Sequence, residues 1–136
     1  MNIQLRKLIR ETIEYIGQIN QPEYYLDDFY AIDYNSDVDE SSAIQFIQSI
    51  INQVNNFTFP LIVYRGINTK SPNERGYENS SWSLDKKVAQ GFGDKLLIGI
   101  IPNKNIIDLE QTIRTRVMNP GENEIYVPNS EGVIIQ

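Results

Sequence analysis

No cysteine and no histidine occur among the 136 residues. Without cysteine there is no disulfide and no thiolate nucleophile. Without histidine the usual general base at neutral pH is gone, and so is the commonest metal ligand. A serine–histidine–carboxylate triad is therefore excluded, and no metal site is expected. Chemistry in this chain must come from carboxylates, hydroxyls, arginine or lysine. Positive charge is scarce as well: 12 Lys and Arg stand against 18 Asp and Glu, a net charge of −6. That balance argues against broad nucleic-acid binding through phosphate neutralisation, though a small local basic site would escape it. No apolar stretch approaches the roughly 18–20 residues that a membrane span needs. Residues 1–10 carry charges throughout and have no apolar segment of the kind a secretory leader needs, so the expected location is the cytoplasm, with no membrane partner.

What is present suits one domain with one core, residues 1–136. Apolar residues make up 40%, enough for a folded rather than a disordered chain. Residues 2–20 read as an amphipathic helix, with Leu5, Leu8, Ile9, Ile13 and Ile16 at helical spacing and Gly17, Asn20 and Pro22 ending it. Residues 22–37 are acidic, aromatic and irregular, with room for a short helix. Asp39 or Ser41 caps a second helix running to about 55, with Ala43, Ile44, Ile47, Ile50, Ile51 and Val54 on its apolar face.

After Pro60 the period changes from helical to alternating. Leu61 to Tyr64 reads as a buried strand ending at Arg65-Gly66, and 67–76 as a loop. Residues 77–84 read as a second strand, and Asp85 caps a short helix over 86–92 closed by Gly93. Strands are expected over 96–101 and 105–109, then a polar connection over 110–121 ending in Asn119-Pro120-Gly121, then strands over 124–127 and 132–136. Two helices followed by about six short strands with one inserted helix make an α+β fold. The division is a helical part, 1–57, and a β-rich part, 58–136. With no unpaired apolar helix face in view, a monomer is expected.

Three short pieces carry chemistry-bearing residues in order: Tyr64-Arg65-Gly66, Ser80-Ser81-Trp82-Ser83 and Glu122-Asn123-Glu124. Arg65 offers a planar fork for phosphate oxygens, beside a glycine that lets backbone approach a ligand closely. Glu122 and Glu124, two apart on an expected strand, would share one face and raise each other's pKa, which stability alone does not favour. Each piece has a plainer reading when taken singly. Arg65 serves as a surface-paired strand-end arginine, the serines as a Ser-rich strand around a buried Trp82, and the two glutamates as an exposed edge pair.

Together the three pieces resemble the arginine–serine–glutamate signature of mono-ADP-ribosyltransferases, over roughly residues 60–136. Sixteen positions separate Arg65 from Ser81 and forty-one separate Ser81 from Glu122, which suits a compact transferase of minimal bacterial or phage type. Trp82 departs from the family's usual Ser-Thr-Ser. The resemblance implies a split β-sandwich of two perpendicular antiparallel sheets with N-terminal helices, and NAD⁺ as co-substrate. It implies that Arg65 and Lys95 meet the diphosphate, with Gly66 beside them, and that Phe92 packs on nicotinamide. Ser81 would hold the catalytic Glu124, with Ser80 as an alternative register, and Glu122 would orient or deprotonate the acceptor. Glu-x-Glu goes with arginine as acceptor in that family, whereas Gln-x-Glu goes with others. The implied partner is thus a host protein arginine, with nicotinamide released. RNA or DNA as acceptor, an NAD⁺ glycohydrolase, and a non-catalytic binding or inhibitor protein are the rivals. The connection over 111–121 would correspond to the target-recognition turn; its Arg114 and Arg116 could steer toward an acidic protein surface or RNA phosphates, and the plainer reading has them solvated.

Overall fold

The computed structural model describes residues 4, 15, 17–70 and 78–136. Most of the helix expected over 2–20 lies outside the described residues; residues 4, 15 and 17–19 of it are helical. The acidic aromatic stretch forms a 3-10 turn at Pro22–Tyr25 and helix α1 at Leu26–Tyr30, followed by a 3-10 turn at Asp33–Asn35.

Helix α2 spans Glu40–Asn55. Asp39 starts it, its carboxylate accepting from Ser42 N at 3.1 Å and from Ser42 Oγ at 2.7 Å. Ala43, Ile47, Ile50, Ile51 and Val54 form its buried stripe. Each of its large apolar side chains contributes roughly 1.5–3 kcal/mol as an upper bound. They pack with Tyr25, Phe29, Ile113 and Val117 into one core cluster.

The strands are β1 (Leu61–Ile67), β2 (Ser81–Ser83), β3 (Lys95–Ile101), β4 (Glu124–Tyr126) and β5 (Ile134–Ile135). Helix α3, Lys86–Gln90, sits between β2 and β3; helix α4, Leu109–Met118, sits between β3 and β4. The described strands form one antiparallel sheet in the order β4-β2-β1-β3-β5. The pairing is uneven. β1 and β3 are in register over seven pairs, from Leu61↔Ile101 to Ile67↔Lys95, whereas β1 meets β2 only at Tyr64↔Ser83. The inner face carries a second cluster of Val63, Trp82, Ile101, Ile107, Ile125 and Val127. Phe57 and Leu109 pack against both clusters and join them.

The α+β class holds, but several expected segments differ. Residues 105–109 are not a strand: Lys104–Ile106 is a 3-10 turn and Leu109 opens α4. The polar connection expected over 110–121 is mostly that same helix. Asp108 caps it by accepting from Gln111 N at 3.0 Å, and Ile113 and Val117 enter the helical core. The second strand is also shorter than expected, because Glu78–Ser80 is a 3-10 turn leading into β2. Among the described residues no helix is long and apolar enough to cross a membrane.

Candidate active site

β2 and β4 bring the serine and glutamate pieces together. Their register pairs Ser81 with Tyr126, Trp82 with Ile125, and Ser83 with Glu124. Directly paired residues share a face, so Ser81, Ser83, Glu124 and Tyr126 lie on one side while Trp82 and Ile125 enter the core. Ser83, rather than Ser81, is directly opposite Glu124; Ser81 is its diagonal neighbour. Ser83 is buried, and its hydroxyl donates to Glu122 O at 2.7 Å and accepts from Asp85 N at 3.0 Å. It fastens the turn before β4 to the start of α3. Ser81 is the half-exposed hydroxyl of the pair.

Ser80 has the core-side parity. It is 2% exposed, and its Oγ accepts from Asn129 N at 2.9 Å. Trp82 Nε1 donates to Ser130 Oγ at 3.0 Å, and Ser130 donates in turn to Asn79 O. These bonds bind the turn at 128–130 to the start of β2 and give Ser80 a structural task.

The two glutamates do not share a strand. Glu122 ends a 3-10 turn, Pro120–Glu122, and Asn123 between them is left-handed at φ 48°. Strand alternation therefore does not set their relative direction. They are nonetheless close enough to interact. Burial raises the Glu122 pKa above the usual carboxylate value, and the Glu124 charge raises it further. Both side chains are half-exposed.

Arg65 is buried at 8% exposure, with Nη2 donating to Asn79 Oδ1 at 3.1 Å. Tyr64 pairs with Ser83, so alternation gives Arg65 the parity of Val63, the core face. The pleat does not by itself aim Arg65 at Glu124. The Tyr64–Ser83–Glu124 row runs across three strands, which sets Tyr64 and Glu124 about 10 Å apart.

Gly66 makes a close approach, but to protein. A Cβ there would lie 1.9 Å from Ala89 O, so its bareness lets α3 pack on β1. Gly93 meets Ile67 O in the same way at 2.2 Å. This contact carries Phe92 and Lys95 beside the end of β1. Phe92 is 60% exposed rather than a core aromatic, and Lys95 is exposed opposite Ile67. Thr69 donates to the Asp94 carboxylate from N at 2.8 Å and from Oγ1 at 2.5 Å, which holds the neighbouring loop.

Arg114 is half-buried and ion-paired, and Arg116 is buried, so neither is simply a solvated side chain. Arg114 Nε lies 3.2 Å from Asp28 Oδ2, and its Nη2 lies 3.2 Å from Glu110 Oε1. Glu110 also accepts from Tyr24 and Tyr15. Arg116 is 4% exposed, with its guanidinium over the Phe57 ring at 5.1 Å and its Nε donating to Glu124 O at 2.8 Å. The sequence marks Arg116 only as an arginine of the connection over 111–121; its burial and its bond to Glu124 O were missed. No three Asp or Glu side chains among the described residues are grouped to hold a metal ion.

No family model, no curated protein and no solved structure matches this chain. The site must be read from its own geometry. That geometry brings Ser81 and Ser83 to Glu124, with Glu122 close by, whereas Arg65 lies on the core side of β1 and Phe92 and Lys95 are exposed near the end of β1.

Proposed function

We propose that this chain is a mono-ADP-ribosyltransferase that splits NAD⁺ and passes ADP-ribose to a macromolecule, with an arginine side chain as acceptor. The observation that carries the reading is the β2–β4 register, which sets Ser81 and Ser83 beside Glu124 with Glu122 in electrostatic contact. Breaking the bond between ribose C1′ and the nicotinamide nitrogen sends the electron pair to the ring and frees neutral nicotinamide. The ribose left behind is cation-like, as in glycoside hydrolysis. Glu124 stabilises that charge and accepts from the 2′-hydroxyl; Ser81, on the same face, orients the carboxylate. A guanidinium nitrogen of the acceptor then attacks C1′, and Glu122 takes the proton released. A carboxylate whose proton affinity is raised by burial and by the neighbouring Glu124 charge suits that task.

NAD⁺ would straddle the gap beside the single β1–β2 bridge, with Arg65 and Lys95 on the diphosphate and Phe92 on nicotinamide. The bridge itself supports a finer reading of the fold: β4–β2 and β1–β3–β5 act as two sub-sheets of a split sandwich. Exposure of Phe92 at 60% favours a ligand-facing ring, since a ring with no ligand gains from burial.

The reading is tested with NAD⁺ labelled in its adenylate phosphate, added to a bacterial lysate with wild type or Glu124→Ala. A label that needs Glu124 and is lost to protease supports protein transfer. Loss to nuclease moves the acceptor to nucleic acid. No label and no released nicotinamide rejects the reading and leaves a binding protein.

A further inference from the structure

Among the described residues strand β4 ends the sheet, and one of its edges has no strand beside it. Asn123 and Val127 bond inward, to Leu84 N and Ser80 O. Glu124 and Tyr126 therefore turn their backbone groups outward, where an open edge needs partners. Helix α4 and its cap supply three. Asp108 N donates to Tyr126 O at 2.9 Å, Tyr126 N donates to Thr112 Oγ1 at 3.0 Å, and Arg116 Nε donates to Glu124 O at 2.8 Å. Positions 108, 112 and 116 are four apart and form one stripe along the helix. Asp108 and Thr112 both meet Tyr126, at its O and its N; from Thr112 to Arg116 four helical residues rise about 6.0 Å, against about 6.8 Å for the two strand residues from Tyr126 to Glu124.

We propose that α4 stands in for a neighbouring strand along β4, and that Arg116 is the positioning residue that fixes the peptide of Glu124. Arg116 is more than a hydrogen-bond donor. It is 4% exposed, and its Nη2 is buried without a hydrogen-bond partner among the described residues. Burial lowers its pKa, and the charge of Glu124 opposes that fall. A neutral donor would cap an edge without the penalty of a buried guanidinium. The bond from Arg116 Nε to Glu124 O ties the glutamate end of β4 to α4. Its catalytic consequence rests on the transferase reading; the bracing of β4 does not.

The test uses the full chain and four variants: Arg116→Met, Arg116→Lys, Thr112→Val and Thr112→Ser. In nicotinamide release, Arg116→Met is expected to lower kcat by roughly 10- to 100-fold, the scale of a small misplacement of a reacting group. KM for NAD⁺ should move by less than about twofold, because Arg116 does not touch the cofactor. Arg116→Lys keeps the charge, loses the fork, and should recover part of kcat. Hydrogen exchange at the Tyr126 amide needs no turnover and should speed up by about tenfold in Thr112→Val, with Thr112→Ser restoring it. Unchanged kcat in Arg116→Met, or kcat falling only in step with the folded fraction, overturns the positioning role. If wild type releases no nicotinamide, the transferase reading falls. The bracing is then judged on exchange alone: an unchanged Tyr126 amide in both Thr112→Val and Arg116→Met overturns it.

Discussion

Glu122 and Glu124 sit two positions apart, yet a left-handed Asn123 gives them separate backbones to stand on: a 3-10 turn and a strand. That separation fits two tasks. Glu122→Ala should lose transfer to the acceptor while keeping part of the NAD⁺ hydrolysis, read as labelled product against free ADP-ribose. Equal loss of both would argue that Glu122 serves bond cleavage rather than the acceptor. The same residue carries a pH signature. Burial and then the Glu124 charge raise its folded pKa, so it binds its proton more tightly folded than unfolded. The stability linked to it is fully present below the unfolded value, about 4.3, and is lost as pH rises through the folded value. Glu122→Gln, which cannot ionise, should therefore be more stable than wild type at pH 7, and the gap should close toward pH 4. Urea unfolding across that range checks it; a gap that widens as pH falls would contradict the sign.

Helix α3 and strand β1 touch through bare backbone at Gly66. Gly66→Ala puts a Cβ 1.9 Å from Ala89 O, so the helix must move. A loss of about 1–3 kcal/mol is expected, the range for overpacking, together with a higher KM for NAD⁺ as Phe92, in the turn just past α3, shifts with that helix. Denaturation and nicotinamide release read the two effects, and an unchanged KM would separate Phe92 from the cofactor. How far such elements could be read from the chain depended on local signal. Asp39 and Asp85 announced α2 and α3, and the apolar run Leu61-Ile62-Val63 announced β1, because cap and period agreed there. Helix α4 was hidden. Its buried face includes Thr112 and Arg116, so the apolar period shrinks to Ile113 and Val117, while Ile106-Ile107 imitates a strand. Asp108 followed by Gln111 was the capping signal that could have revealed it. The motif residues stood out by chemical type and order. Arg116 did not, because it acts on a carbonyl of β4, and pairing across an edge leaves no mark in a linear sequence.

The molecule has two apolar clusters, one among the helices and one under the sheet, with Phe57 and Leu109 in contact with both. Phe57 also lies beneath the Arg116 guanidinium. Trp82, the single tryptophan, is buried in the sheet cluster, so its fluorescence reports that half while far-ultraviolet dichroism reports mainly the helices. In wild type the two signals should change together. Phe57→Ala should cost about 3 kcal/mol and pull the two transitions apart. Coincident transitions in the variant would mean that the clusters are coupled by other contacts. The joined clusters fix where α4 and β4 meet, and so where Glu124 stands. The most direct test of that placement is nicotinamide release from NAD⁺ by the purified chain, wild type beside Glu124→Ala. Release by wild type that falls at least about a hundredfold in the variant is the predicted result. Release that survives in Glu124→Ala would contradict the assignment of Glu124 as the group that stabilises the ribose cation.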